Sequence, residues 1–246
     1  MKVKKMKLFK LLGLELDKFN IISVVGGGGK TTSINKLAIE LSEIGKSVLI
    51  TTSTGIFIPA KDTYTHLFIE NIPLNYTPES GGIDYYAEKV DNEKLKTYNI
   101  SVVDEIINRN IYDFVLIEAD GSKGRPIKAP AEHEPVISKY TTITLGVIGL
   151  DSLGKEINEE NVHRPELLSM LTNSQTVDIR AITDLVLHNN GIFKRSIGKK
   201  ILLLNKADNE HRIQIAMDIR KTLMSLEVTK NKIDIIVGDV KSNIYR

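Results

Sequence analysis

Apolar positions along this chain switch between two patterns, and the switching predicts the fold. Short continuous apolar runs at 21–25, 47–52, 113–118, 142–150, 201–204 and 234–237 read as strands, because a strand covered on both faces shows little alternation. Between them lie stretches with helical spacing. Residues 32–44 place Ile34, Leu37, Ala38, Leu41 and Ile44 on one side, and Gly45 stops the helix. Residues 102–110 form a second helix, opened by Ser101 and Asp104 at capping-box spacing. Residues 209–226 form a third, with Ala216, Ile219, Leu223 and Leu226 in register. Residues 55–98 are less regular, with Pro59, Pro73, Pro78 and Gly81-Gly82, and predict a small strand excursion or a flap. Strands alternating with amphipathic helices predict an α/β fold with a mostly parallel sheet covered on both faces. The whole of 1–246 reads as a single α/β domain with an excursion at about 55–98.

Composition narrows the class further. With 41% hydrophobic and 26% charged residues in 246, the chain is an ordinary globular protein. A chain this long buries roughly 70% of its unfolded surface without a disulfide or metal staple. It has no cysteine, which removes disulfides, thiolate metal sites and cysteine nucleophiles, and fits a cytoplasmic location. Net charge is 33 − 31 = +2, but five lysines lie in the first ten residues (Lys2, Lys4, Lys5, Lys7, Lys10), and without them the balance is 28 − 31 = −3. Such a body offers no broad nucleic-acid surface. The basic start followed by Leu-Phe-Lys-Leu-Leu lacks a cleavage site and is interrupted by Lys10 and Glu15. It predicts a short amphipathic helix at the domain edge rather than a signal peptide. The longest apolar run, 143–150, is too short to cross a membrane.

The sharpest chemical signal is Gly26-Gly27-Gly28-Gly29-Lys30-Thr31-Thr32, between the first strand and the first long helix. Glycines let consecutive backbone N–H groups turn inward around an anion, and the helix N-terminus adds its dipole. Lys30 is then expected on the phosphates of a nucleoside triphosphate, and Thr31 on Mg²⁺. Before a ligand arrives Lys30 is expected to be exposed. The pattern departs from the usual phosphate loop at Val24, where glycine is customary.

Two further strand ends carry chemistry. The run 113–118 delivers Glu118 and, two residues on, Asp120 to the carboxyl edge of the sheet, where open α/β sheets bind ligands. These carboxylates are candidates for holding Mg²⁺ and orienting a water. The run 201–204 ends in Asn205-Lys206-Ala207-Asp208, the guanine-recognition pattern of GTPases. One carboxylate at Asp208 accepts both the N1–H and the N2 amine of guanine, a pair adenine lacks. Asn205 is expected to tie this pocket to the phosphate loop and Lys206 to cover the base. Asp208 or Asn209 also suits a plain helix cap. GTP is thus favoured, with ATP as the alternative.

Three blocks, VVGGGGKTT, EADGSKGRPIKAPAEHEPV at 118–136 and GVIGLDSLGKEINEENVHRPE at 146–166, resemble the YqeC-like family of selenium-dependent hydroxylase accessory proteins. The resemblance covers roughly 20–210. It implies a three-layer phosphate-loop NTPase of the SIMIBI type that serves the maturation of selenium-dependent molybdenum hydroxylases. It also implies that the hydroxylase or its cofactor-maturation proteins are the partners, and a homodimer is compatible with it. The Thr51-Thr52-Ser53-Thr54 segment resembles the family's threonine-rich stretch, and its hydroxyls either bind phosphate or bond backbone. Lys123, Arg125 and Lys128, with His133, His163 and Arg164, are candidates for a second ligand or a switch. Solvated loop residues, helix caps and metal ligation by the histidines are the alternatives, and Pro165 suits a first helical turn. Two rival readings share the fold: a small-molecule kinase and a nucleotide-binding scaffold without turnover.

Overall fold

The computed structural model describes residues 6–226 and 232–246; Lys2, Lys4 and Lys5 of the basic start lie outside them. After α1 (Leu8–Leu11) come β1 (Asn20–Gly26), α2 (Lys30–Ser42) and β2 (Val48–Thr52). The irregular segment holds β3 (Ile56–Phe57), β4 (His66–Ile69), β5 (Ile83–Ala87), β6 (Lys89–Asp91) and β7 (Lys94–Lys96). Then follow α3 (Ile100–Asn108), β8 (Phe114–Glu118), β9 (Ile127–Lys128), β10 (Ile143–Gly149) and β11 (Val162–His163). The chain continues through α4 (Pro165–Thr172), α5 (Ile179–Leu187), β12 (Lys199–Asn205), α6 (Glu210–Ser225), β13 (Ile233–Asp239) and β14 (Ile244–Tyr245).

Among the described residues, nine strands form one sheet in the order β14-β13-β12-β10-β1-β8-β2-β5-β4. Every pairing in it is parallel except β13 with β14. Alternate residues of the same strands serve opposite layers, as strand geometry requires. Ile22 and Val24, Val48 and Ile50, and Phe114 and Leu116 pack with Ile34, Leu37 and Leu41 of α2. Ile21, Leu49, Val115 and Ile117 instead meet Val103, Ile106 and Ile107 of α3. Val25, Leu202 and Leu204 meet Ile182 and Leu185 of α5 and Ile219 and Leu223 of α6. The result is the expected three-layer α/β arrangement of a phosphate-loop NTPase. Full burial of a Leu or Ile is worth about 1.5–3 kcal/mol, so the buried stripe of α2 fixes the helix that follows the glycine loop.

Several local expectations change. The N-terminal helix is a single turn, and Leu8, Phe9 and Leu12 are buried in the α2 layer rather than resting at an edge. The cap of α3 is Asn99, whose side chain accepts from Ser101 N, while Asp104 accepts from Ser138 Oγ. Residues 234–237 do not close the sheet, because β14 adds an antiparallel edge beyond β13. Within the excursion, β4 and β5 extend the main sheet, and β3, β7 and β6 make a separate small one. Among the described residues no helix is long and apolar enough to cross a membrane.

Candidate functional site

Parallel register brings the chemistry-bearing strand ends to one edge. Glu118 of β8 lies opposite both Val24 of β1 and Thr52 of β2, Gly26 opposite Val147, and Gly149 opposite Asn205. The glycine loop fills the space between them, and its composition follows from how tightly it is packed. Gly28 has φ +78, and a Cβ there would stand 2.2 Å from Gly149 N and 2.6 Å from the Pro126 carbonyl. Gly29, at φ +124, would meet Asn205 Nδ2 at 2.4 Å. No L side chain fits either position.

The loop's amides are not all turned inward. Gly26 N donates to Asp120 Oδ2 (3.0 Å), Gly27 N to the Val147 carbonyl (2.9 Å) and Gly28 N to the Arg125 carbonyl (3.1 Å). Buried N–H groups find acceptors within the protein, and here Asp120, the end of β10 and the strap 125–128 each supply one. The part open to an anion is the first turn of α2, which starts at Lys30 without a side-chain cap.

Lys30 is buried, with 3% of its side chain exposed, not exposed as the loop alone predicts. Its ammonium donates to the Gly26 carbonyl (2.8 Å) and lies 3.2 Å from Asp120 Oδ1 and 3.7 Å from Glu118 Oε1. The strand-end carboxylates draw it in, so the two candidate groups face each other directly. Thr31 Oγ1 donates to Glu118 Oε2 at 2.7 Å, and Thr32 is exposed on the same turn. Burial pushes the Glu118 carboxyl up, against the pull of Lys30 and the Thr31 hydroxyl.

The pairing continues inward. Lys128 Nζ lies 3.3 Å from Asp120 Oδ2 and 2.7 Å from Glu134 Oε2, and donates to the Gly121 carbonyl. Glu134 in turn accepts from Arg164 NH1. Lys128 is 1% exposed, so it is not the solvated loop residue allowed for above. Burial alone would raise the Glu134 carboxyl, but the hydrogen bonds and charges of Lys128 and Arg164 hold it down at about 2. Glu118, Lys30, Asp120, Lys128, Glu134 and Arg164 therefore form one chain of alternating charge.

At the other end, Asn205 does what its position predicts: Nδ2 donates to the Gly28 carbonyl (2.9 Å), and Oδ1 accepts from Val240 N. Asp208 is half-exposed and paired with Arg212, whose NH1 reaches both carboxylate oxygens at 2.7 and 2.9 Å. The helix cap is Asn209, not Asp208. Lys206, at φ +61, pairs with Asp151 at 2.7 Å.

Other candidates are placed differently. Thr52 donates to the Glu118 carbonyl, Thr51 to the Tyr86 carbonyl and Ser53 to the Val136 carbonyl, so these hydroxyls bond backbone rather than face a ligand. His133 is exposed, and among the described residues only its carbonyl is engaged, by Arg195. His163 sits beside Lys128 on the β9–β11 pair, and burial together with Arg164, Lys128 and Lys123 pushes its imidazole down to about 4. The histidines do not meet, and among the described residues no group of three or more His, Asp or Glu is placed to hold a metal ion. Pro165 opens α4, with Arg164 before it at φ +63. The residues not singled out from sequence are Asp151, Arg212 and the Val240 amide. Glu132-His133-Glu134 marks a site in the sequence, and it is Glu134 of that run, not the histidine, that joins the chain of charges.

The profile of a family described as YqeC protein matches residues 22–166. The uncharacterized protein YqeC of Escherichia coli (strain K12) is 36% identical over 179 residues, 71% of this chain and 70% of that protein. The signal recognition particle receptor FtsY of Metamycoplasma hominis is 34% identical over 106 residues, 38% of this chain and 28% of that protein.

Proposed function

The chain belongs to the YqeC family, and on that premise we propose that it binds a nucleoside triphosphate with Mg²⁺, GTP before ATP, and hydrolyses it. One observation carries the reading: the uncapped start of α2 shares a sheet edge with Lys30, Thr31, Glu118 and Asp120. The similarity to a signal recognition particle receptor supports nucleotide binding of the SIMIBI type.

Phosphates arriving at α2 compete with Asp120 and Glu118 for the Lys30 ammonium, and a triphosphate carries more negative charge than either. Thr31 Oγ1 and Glu118 Oε2 lie 2.7 Å apart as hard oxygen donors, and the buried Asp120 Oδ1 accepts no hydrogen bond. That donor set fits Mg²⁺. When bound, such an ion neutralises charge developing on the phosphates. Glu118 and Asp120, released from Lys30, orient the attacking water. Asn205 links the loop to the base pocket, and Asp208 must share its carboxylate between Arg212 and the guanine edge. Lys206, now on Asp151, flanks the base. By family resemblance the setting is the maturation of selenium-dependent molybdenum hydroxylases in the cytoplasm, with the hydroxylase or its maturation proteins as partners. The chain acts there as one domain.

Calorimetric titration with GTP and ATP in the presence of Mg²⁺, followed by phosphate-release assays, tests this. Glu118→Gln and Asp120→Asn are expected to lower turnover more than affinity. No nucleotide binding overturns the proposal, and equal GTP and ATP affinity overturns the guanine part. Transfer of the γ-phosphoryl group to an added acceptor, with nucleoside diphosphate formed and no phosphate released, would make the protein a kinase; tight binding without turnover would make it a scaffold.

A further inference from the structure

The strap that closes behind the glycine loop also forms the wall of a separate cavity. Arg125 gives its carbonyl to Gly28 N, while its side chain lines a cavity of about 400 Å³ with Lys123, His163, Arg164, Glu159 and Glu166. That volume suits a small molecule. The Arg125 guanidinium makes one hydrogen bond, from Nε to the Glu159 carbonyl, and among the described residues neither Lys123 nor Arg125 has an ion-pair partner. Arg164 spends NH1 on Glu134 and has further N–H groups beside the cavity.

Three cations, Lys123, Arg125 and Arg164, line the cavity against two carboxylates, Glu159 and Glu166. Burial first, and then Arg164, Lys128 and Lys123, act against a proton on His163, and Glu134 is the carboxylate that opposes them. Two of these cations are also held in left-handed backbone, Lys123 at φ +49 and Arg164 at φ +63. Glycine would adopt that conformation without strain, so the side chains are kept against a local cost.

We infer that this cavity is a second anion site, which takes the phosphoryl group of a small molecule between Lys123, Arg125 and Arg164. Guanidinium forks suit phosphoryl oxygens bidentately. Glu159 and Glu166 then accept hydrogen-bond donors elsewhere on the same ligand. The site is separate from the glycine loop and stands whether or not the loop takes a nucleotide.

Inorganic phosphate is the probe, titrated at constant ionic strength into protein labelled with ¹⁵N in its backbone and histidine rings. The His163 ring reports the cavity, and the Gly29 and Lys30 amides report the loop in the same sample. The expected result is a saturable shift of His163. In the Lys123→Ala/Arg125→Ala double variant, both positions being on the surface, affinity at His163 falls by about tenfold or more. Movement of Gly29 and Lys30 alone would place the phosphate on the loop and overturn the second site. An unchanged His163 titration in the double variant would overturn it as well.

Discussion

Around the glycine loop, Glu118, Lys30, Asp120, Lys128 and Glu134 meet with no more than 9% of any side chain exposed. At the base end, Asp208, Arg212, Lys206 and Asp151 pair with 27–47% of each side chain exposed. The exposed pairs are the shorter, both at 2.7 Å against 2.7–3.7 Å for the buried ones, so it is the surroundings and not the distances that set what each is worth. Exposed pairs contribute about 0–1 kcal/mol, because water competes for both partners. A buried pair adds little net stability, yet removing one member leaves an uncompensated charge and costs about 3–5 kcal/mol. One end of the site is thus fixed by the penalty for disturbing it, and the other is free to exchange partners.

The most direct way to break this contrast is Lys128→Met, which keeps the stem, takes one of two cationic partners from both Asp120 and Glu134, and leaves one buried negative charge in excess. Urea unfolding is expected to show a loss of about 3–5 kcal/mol. A loss under 1 kcal/mol would mean that the two ends are alike. Lys30→Ala comes next. Because Lys30 is buried against Asp120 and Glu118, the variant is expected to lose about 3 kcal/mol of stability, the low end of the buried-pair range, and also its triphosphate binding. A fluorescent nucleotide read beside the urea curve separates the two effects. At the exposed end, Asp208→Asn is expected to lower GTP affinity by about ten- to a hundredfold, the equivalent of one charge-assisted hydrogen bond, while stability barely changes. Calorimetry with GTP, ATP and XTP checks it, and an unchanged preference would leave Asp208 as a partner for Arg212 alone.

Acidity sharpens the same comparison. His163 has its proton affinity pushed down to about 4 from an ordinary 6.5. The unfolded chain therefore takes up a proton first, and the contribution present above pH 6.5 is lost as pH falls towards 4. Glu134, held at about 2 against an ordinary 4.5, contributes above pH 4.5 and loses that contribution as pH falls towards 2. Urea midpoints from pH 7.5 to 4 should decline less in His163→Asn than in the wild type. The smallest effect belongs to Lys206→Met, whose exposed pair with Asp151 predicts a stability change within about 1 kcal/mol; a larger loss would place that end among the rigid ones.

Much of this was legible in the sequence where a pattern had length. β1, β8, β10 and β12 follow from runs of Val, Ile and Leu, and the glycine loop follows from its place between strand and helix. The bond from Asn205 to the loop was also readable, since a motif at a strand end lies near the other strand ends of a parallel sheet. α5 carried its own signal, Asp178 as cap and then Ile179, Ile182, Leu185 and Val186 at helical spacing. β9 and β11 did not, because two residues have no period. The buried state of Lys30 and Lys128 was hidden for another reason. A lysine reads as solvated unless its carboxylate partners are known: that of Lys30 comes from 90 positions away once the sheet is assembled, and those of Lys128, 8 and 6 positions away, face it only through the path of the irregular strap. Pro126-Ile127-Lys128-Ala129-Pro130 was the one hint, a lone charge inside an apolar run.

The alternating chain from Glu118 to Arg164 also constrains descent. A single neutralising substitution within it leaves an odd charge without water, so a lineage cannot edit these positions one at a time at low cost. Change must come as compensated pairs, such as Lys128 with Glu134, or by way of an ancestor with stability to spare. Across divergent relatives these positions are expected to be inherited as a block, while Asp151, Lys206 and Arg212 drift independently.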